Sequence, residues 1–136
     1  NIAPPGTRAI GLAPTRLGVQ GPAYALAIFG RPLRTQTCDC ERSADAGLPQ
    51  AMYLINDIDV NAKISAPAGR LAKLLKEVPD NERLVEELYL STVSRYPNME
   101  EKARALEYVA RAADRRAGFE DVLWSLINLR EFVFNH

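Results

Sequence analysis

One histidine, His136, stands at the very end of a chain of 136 residues. With so little imidazole no Ser-His-Asp set is credible, and nothing supports a cysteine nucleophile. A glycine-rich phosphate loop is absent, and so is a Cys-x-x-Cys-His haem attachment. Only two cysteines are present, half the ligands of a structural zinc site. No apolar run approaches the roughly 20 residues that a membrane-spanning helix needs. Neither charge is in excess: 17 Lys+Arg face 17 Asp+Glu, which argues against generic nucleic-acid binding. A charged-then-apolar leader with a cleavage site is also missing, and the chain begins at Asn1 rather than Met. It reads as an excised fragment or a processed product, with any targeting signal expected outside it. No internal repeat and no convincing strand series occurs.

What remains is ordinary globular material, 47% hydrophobic and 25% charged, which suits one core and argues against disorder throughout. Residues 1–21 are rich in Gly and Pro and read as an extended arm or loop. Residues 22–136 read as an α-helical domain, the C-terminal part of a larger one. Residues 1–37 carry Arg8, Arg16, Arg31 and Arg34 and no acid. Such dispersed arginines suit solvation or pairing with acids of the main body better than a nucleic-acid arm.

Pro22 can open a short helix that Gly30 stops. A second helix is expected from Leu48-Pro49, burying Ala51, Met52, Leu54 and Ile55 and breaking near Asn56-Asp57. A third is expected after Ser65 and Pro67, with Leu71, Leu74, Leu75 and Val78 inward, Arg70, Lys73 and Lys76 outward, and Pro79 ending it. The centre of the chain is a helical hairpin over Leu84–Ala117, turning at Tyr96-Pro97-Asn98. Its first helix carries Leu84, Val85, Leu88, Tyr89, Thr92 and Val93 on one face, with Asp80 as the N-cap. Its second carries the small-residue series Met99, Ala103, Leu106, Ala110, Ala113 and Ala117. Asn98 and Glu101 are spaced as a capping box. Gly118 is expected to interrupt, and a last helix then turns Phe119, Val122, Leu123, Leu126 and Ile127 inward, with Trp124 off that stripe. Phe132-Val133-Phe134 is expected to dock. The fold class is all-α: an irregular helical bundle with a central helical hairpin and an extended N-terminal arm.

Three groups of side chains could carry chemistry. Cys38 and Cys40, flanked by Asp39 and Glu41 and joined by His136, could hold a soft metal, form a strained and therefore reducible disulfide, or simply be inert thiols. Arg31, Arg34 and Arg42 could grip a carboxylate or sulfate through forked donors, or pair within the fold. Asp57 and Asp59 are spaced like cation ligands but lack the rest of a calcium loop and read as loop solvation. The Tyr and Trp residues read as core.

Read in order, several blocks are similar to a known family. They are Phe29-Gly30-Arg31-Pro32, Cys38-x-Cys40-Glu41-Arg42, Gln50 through Leu54-Ile55-Asn56, Gly69-Arg70-Leu71-Ala72, Glu87-Leu88-Tyr89-Leu90, Ser94-Arg95-Tyr96-Pro97, Trp124-Ser125-Leu126-Ile127-Asn128 and the closing Glu131–His136. The series resembles the C-terminal part of the planctomycete-type PSD domain, a domain of unknown function (1553), over roughly residues 22–136. The family brings no established activity and no catalytic residue. The resemblance implies a large secreted or periplasmic parent in which a cytochrome-c-like domain often lies upstream. Haem c is expected only in that associated domain, and the partner of this chain would be the remainder of the parent. Asn98 stands where the family usually has Thr, Ser125 where it has Ala, and Leu129 where it has Ser or Asn. The last change removes a cap and makes the final helix boundary doubtful. The expected function is a structural or protein-interaction module closing the parent. The alternatives are a redox- or metal-linked module serving the cytochrome-c-like domain, and binding of anionic glycans.

Overall fold

The computed structural model describes residues 22–29 and 47–133. Within them are eight helices and no strand: α1 (Pro22–Ile28), α2 (Leu48–Asn56), α3 (Ile58–Ile64), α4 (Arg70–Glu77), α5 (Asn81–Val93), α6 (Met99–Arg111), α7 (Arg115–Ile127) and α8 (Arg130–Val133). The class is all-α, as the periodicity predicts. The arm expected over residues 1–21 lies outside the described residues. The chain divides into two compact units, Asn1–Tyr53 and Leu54–His136.

In the first unit α1 and the start of α2 meet through Tyr53, whose ring lies 6.0 Å from both the Tyr24 and the Phe29 ring. Gln50 Nε2 donates to the Ile28 carbonyl at 2.8 Å, satisfying an acceptor at the end of α1. The expected burial along α2 holds only in part. Leu54 is buried, but Met52 and Ile55 are 53% and 43% exposed. Leu48, Met52 and Ile55 recur at four- and three-residue spacing on one face and Leu54 lies off it. A short helix that is apolar on two sides can bury only one.

The second unit holds one core of Leu71, Leu84, Val85, Leu88, Tyr89, Val93, Val109, Phe119, Val122 and Leu126. Helices α5, α6 and α7 pack on one another, α3 and α4 lean on α7, and α8 touches α5 and α7. The break expected at Asn56-Asp57 is the start of α3. Asp57 is its N-cap, accepting from the amides of Asp59 at 2.8 Å and Val60 at 3.3 Å. Asp59 sits in the first turn, where the helix dipole favours an acid. These two carboxylates therefore organise a helix end rather than merely solvate a loop. Helix α4 begins at Arg70, later than Ser65 or Pro67 suggest, and its inward stripe is as expected.

Asp80 caps α5 by accepting from Glu82 and Arg83, each at 3.3 Å. The helix stops at Val93, short of Pro97, because Ser94 adopts a left-handed conformation with φ of 58°. The capping box at α6 is present: Glu101 N donates to Asn98 Oδ1, and Asn98 N to Glu101 Oε2, both at 2.8 Å. The face that α6 buries is the expected one only at Leu106. Met99 is 90% exposed, and Ala103 and Ala110 face water, whereas Val109 is buried and Ala105 and Leu106 pack against the core. A buried Val or Leu gains about 1.5–3 kcal/mol, far more than an alanine methyl, so the larger side chains set the rotation of the helix. The alanine series also crosses a break, since α6 ends at Arg111 and Asp114 caps α7 through Ala117 N at 2.8 Å.

Gly118 does not interrupt anything. It lies inside α7, where a Cβ would come within 3.0 Å of Ala112 Cβ and 3.1 Å of Val109 Cα. The missing side chain lets α6 and α7 approach this closely. Beyond it Phe119, Val122 and Leu126 are buried as the stripe predicts. The amides of Phe132 and Val133 donate to the Leu129 carbonyl at 3.0 and 3.1 Å, and a leucine at that position has no side-chain acceptor with which to cap α8. Val133 is half-buried and Phe132 37% exposed, a partial docking; Phe134 lies outside the described residues.

Candidate functional site

The candidate metal or redox residues Cys38, Cys40 and His136 and the candidate anion-binding residues Arg31, Arg34 and Arg42 all lie outside the described residues. The structure brings together a different set. An open trough of about 600 Å³ runs between α6 and α7. Its floor is Val122 and Leu126 with Tyr89 from α5, and its middle is wide because Ala105 and Ser125 are small. Trp124, which the sequence places off the inward stripe, is half-buried along its edge.

Each end of the trough is tied by polar groups. At one, the Tyr108 hydroxyl donates to Asp121 Oδ2 at 2.8 Å, linking α6 to α7. That bond to a carboxylate raises the Tyr108 pKa, because the hydroxyl loses a partner when it ionises. At the other end, Arg95 holds Glu101 with two parallel bonds of 2.8 and 2.7 Å and reaches Glu131 of α8 at 3.0 Å. Its guanidinium carbon also lies 5.6 Å from the centre of the Tyr89 ring. Lys102 adds a tie between α5 and α6, at 2.6 Å from Glu86 and 3.7 Å from Glu82.

The Arg95 fork, then the Asn98 amide, lowers the Glu101 pKa from 4.5 to about 2. A depressed carboxylate contributes stability that is complete above its unfolded pKa near 4.5 and lost as pH falls through about 2. Thermal melts between pH 6 and pH 2 should therefore show a smaller acid-induced fall in Tm for Glu101→Gln than for the wild type. Equal falls would mean that the fork does not act on stability.

The same lock sits at the root of the α5–α6 turn, where Arg95 Nη1 also donates to the Tyr96 carbonyl at 3.1 Å. The turn carries Tyr96, 65% exposed, and leads into Met99. Tyr96 and Tyr108, the latter 51% exposed, are thus not the core residues that the sequence suggests. Arg95, Tyr108 and Asp121 have no apolar periodicity to mark them. Arg95 occurs in the Ser94–Pro97 block, but its spacing from Glu101 and Glu131 is not that of a helical pair.

No protein-family model, no curated protein and no solved structure matches the chain. Among the described residues no helix is long and apolar enough to cross a membrane.

Proposed function

We propose that the chain is a helical interaction module that closes a larger exported protein and offers the α5–α6 turn to the rest of that protein. The observation that carries this reading is the turn itself. Tyr96 and Met99 are 65% and 90% exposed, yet the turn beneath them is held by the Asn98–Glu101 capping box and the Arg95–Glu101 fork. A turn that is already fixed loses little backbone entropy when its apolar side chains are covered, which favours association. The resemblance to the PSD domain supplies the partner, the preceding part of a secreted or periplasmic parent.

Residue-resolved methionine oxidation tests the reading. Met99 should oxidise readily in the 136-residue chain and at least about fivefold more slowly in the intact parent, since sulfoxide formation follows exposure. Equal rates in the two would defeat it.

A further inference from the structure

The α6–α7 trough has two ends of different chemistry, and neither is fully satisfied by the protein. Glu101 is matched by Arg95 and Arg104 by Glu100. Asp121 is exposed and has no cationic partner among the described residues; its carboxylate accepts the Tyr108 hydroxyl, and its backbone carbonyl accepts from Ser125 Oγ. The unbalanced charge at that mouth is negative, beside the Tyr108 ring and near the Trp124 edge. At the opposite end Tyr89 is only 7% exposed, and its hydroxyl has no hydrogen-bond partner among the described residues. The Arg95 guanidinium lies 5.6 Å from the centre of the Tyr89 ring, so Tyr89 lines the trough at the Arg95–Glu101 end. The hydroxyl belongs to a residue that lines the open trough, where a ligand group can take the place of water as its partner.

Size narrows the occupant. From Glu101 to Tyr108 the trough runs about 10 Å at 1.5 Å per residue, and its volume of about 600 Å³ is that of a small-ligand site. The Tyr108–Asp121 bond ties α6 to α7 at one end and the Arg95–Glu101 fork lies at the other, a span that suits a short occupant better than a partner helix.

We propose that this trough binds a small organic amine: a ring-sized apolar body over Val122 and Leu126, an ammonium group at Asp121, and a hydrogen-bonding group at the Tyr89 hydroxyl. The ammonium donates a charge-assisted bond to the carboxylate and lies against an aromatic ring. The apolar body covers the floor that Ala105 and Ser125 leave open. This site is separate from the Tyr96–Met99 turn and does not depend on the parent-protein reading.

Tyramine, its neutral counterpart 4-(2-hydroxyethyl)phenol, and 2-phenylethylamine make a probe set that varies one end at a time. Titrated into the 15N-labelled chain, tyramine should shift amides of residues 101–108 and 121–129 and the Trp124 indole. The neutral probe should bind about tenfold more weakly, a typical scale for a charge-assisted bond beside a ring. Asp121→Asn preserves an acceptor for Tyr108 and should erase that difference. Tyr89→Phe should erase the preference for tyramine over 2-phenylethylamine while leaving the amine preference intact. Shifts scattered over the molecule, equal binding of tyramine and the neutral probe, or an unaffected Asp121→Asn would overturn the proposal. Tighter binding of N-acetyl-lysine amide than of tyramine would overturn it too, by assigning the trough to a lysine of a partner polypeptide.

Discussion

Phe119→Ala is expected to destabilise the Leu54–His136 unit by about 4 kcal/mol, the usual scale for emptying a fully buried aromatic position. Phe119 is the largest fully buried side chain described and has no exposed surface at all. It projects from α7 into the shared core of α4, α5 and α6, so no single neighbour can move to fill the space. Against a typical domain stability of 5–15 kcal/mol, the loss takes a large share of what holds the unit together. Urea denaturation should show a strongly lowered midpoint with little change in slope. A loss below about 1 kcal/mol, the level of a surface substitution, would mean that the core is not packed around this ring.

Arg115→Ala should cost about 2–3 kcal/mol by a different route, the loss of several hydrogen bonds from a charged donor. The guanidinium of Arg115, in the first turn of α7, donates to the carbonyls of Leu75 at 2.8 Å, Val78 at 2.6 Å and Pro79 at 3.2 Å and to Asn81 Oδ1 at 2.8 Å. The three carbonyls belong to the end of α4 and the link to α5, where backbone carbonyls run out of helical partners, and Asn81 opens α5. Lysine has one compact donor head in place of a planar fork, so Arg115→Lys should recover less than half of the loss. Hydrogen exchange should quicken first at residues 75–81, a local opening that a purely packing role would not produce. Arg115 also lies 5.5 Å from the centre of the Phe119 ring. The two substitutions should therefore combine to less than their sum.

Much of this fold was legible because its signals are local. The Asp80 cap, the Asn98–Glu101 box and the Phe119–Leu126 stripe each follow from spacing within one or two turns. The failures have two physical causes. Alanine periodicity is a weak burial signal: Leu106 of that series packs on the core, but Ala103 and Ala110 are exposed while Val109, outside the series, is buried. Glycine was given its intrinsic helix propensity at position 118, where close contact with Val109 and Ala112 outweighs it. The trough was illegible for a third reason. Tyr108 meets Asp121 across two helices, and Arg95 meets Glu131 over 36 positions, pairings that no helical period announces.

The order of the central helices has a kinetic consequence. Each of α5, α6 and α7 packs on its immediate successor, and the α6–α7 link spans only Ala112–Asp114. Closing such short loops costs little chain entropy, so native contacts can accumulate from neighbour to neighbour. A chain wired this way belongs with the helical proteins that reach their native state in microseconds to milliseconds. It exposes its apolar stripes only briefly on the way, and the core is assembled before strangers can meet it.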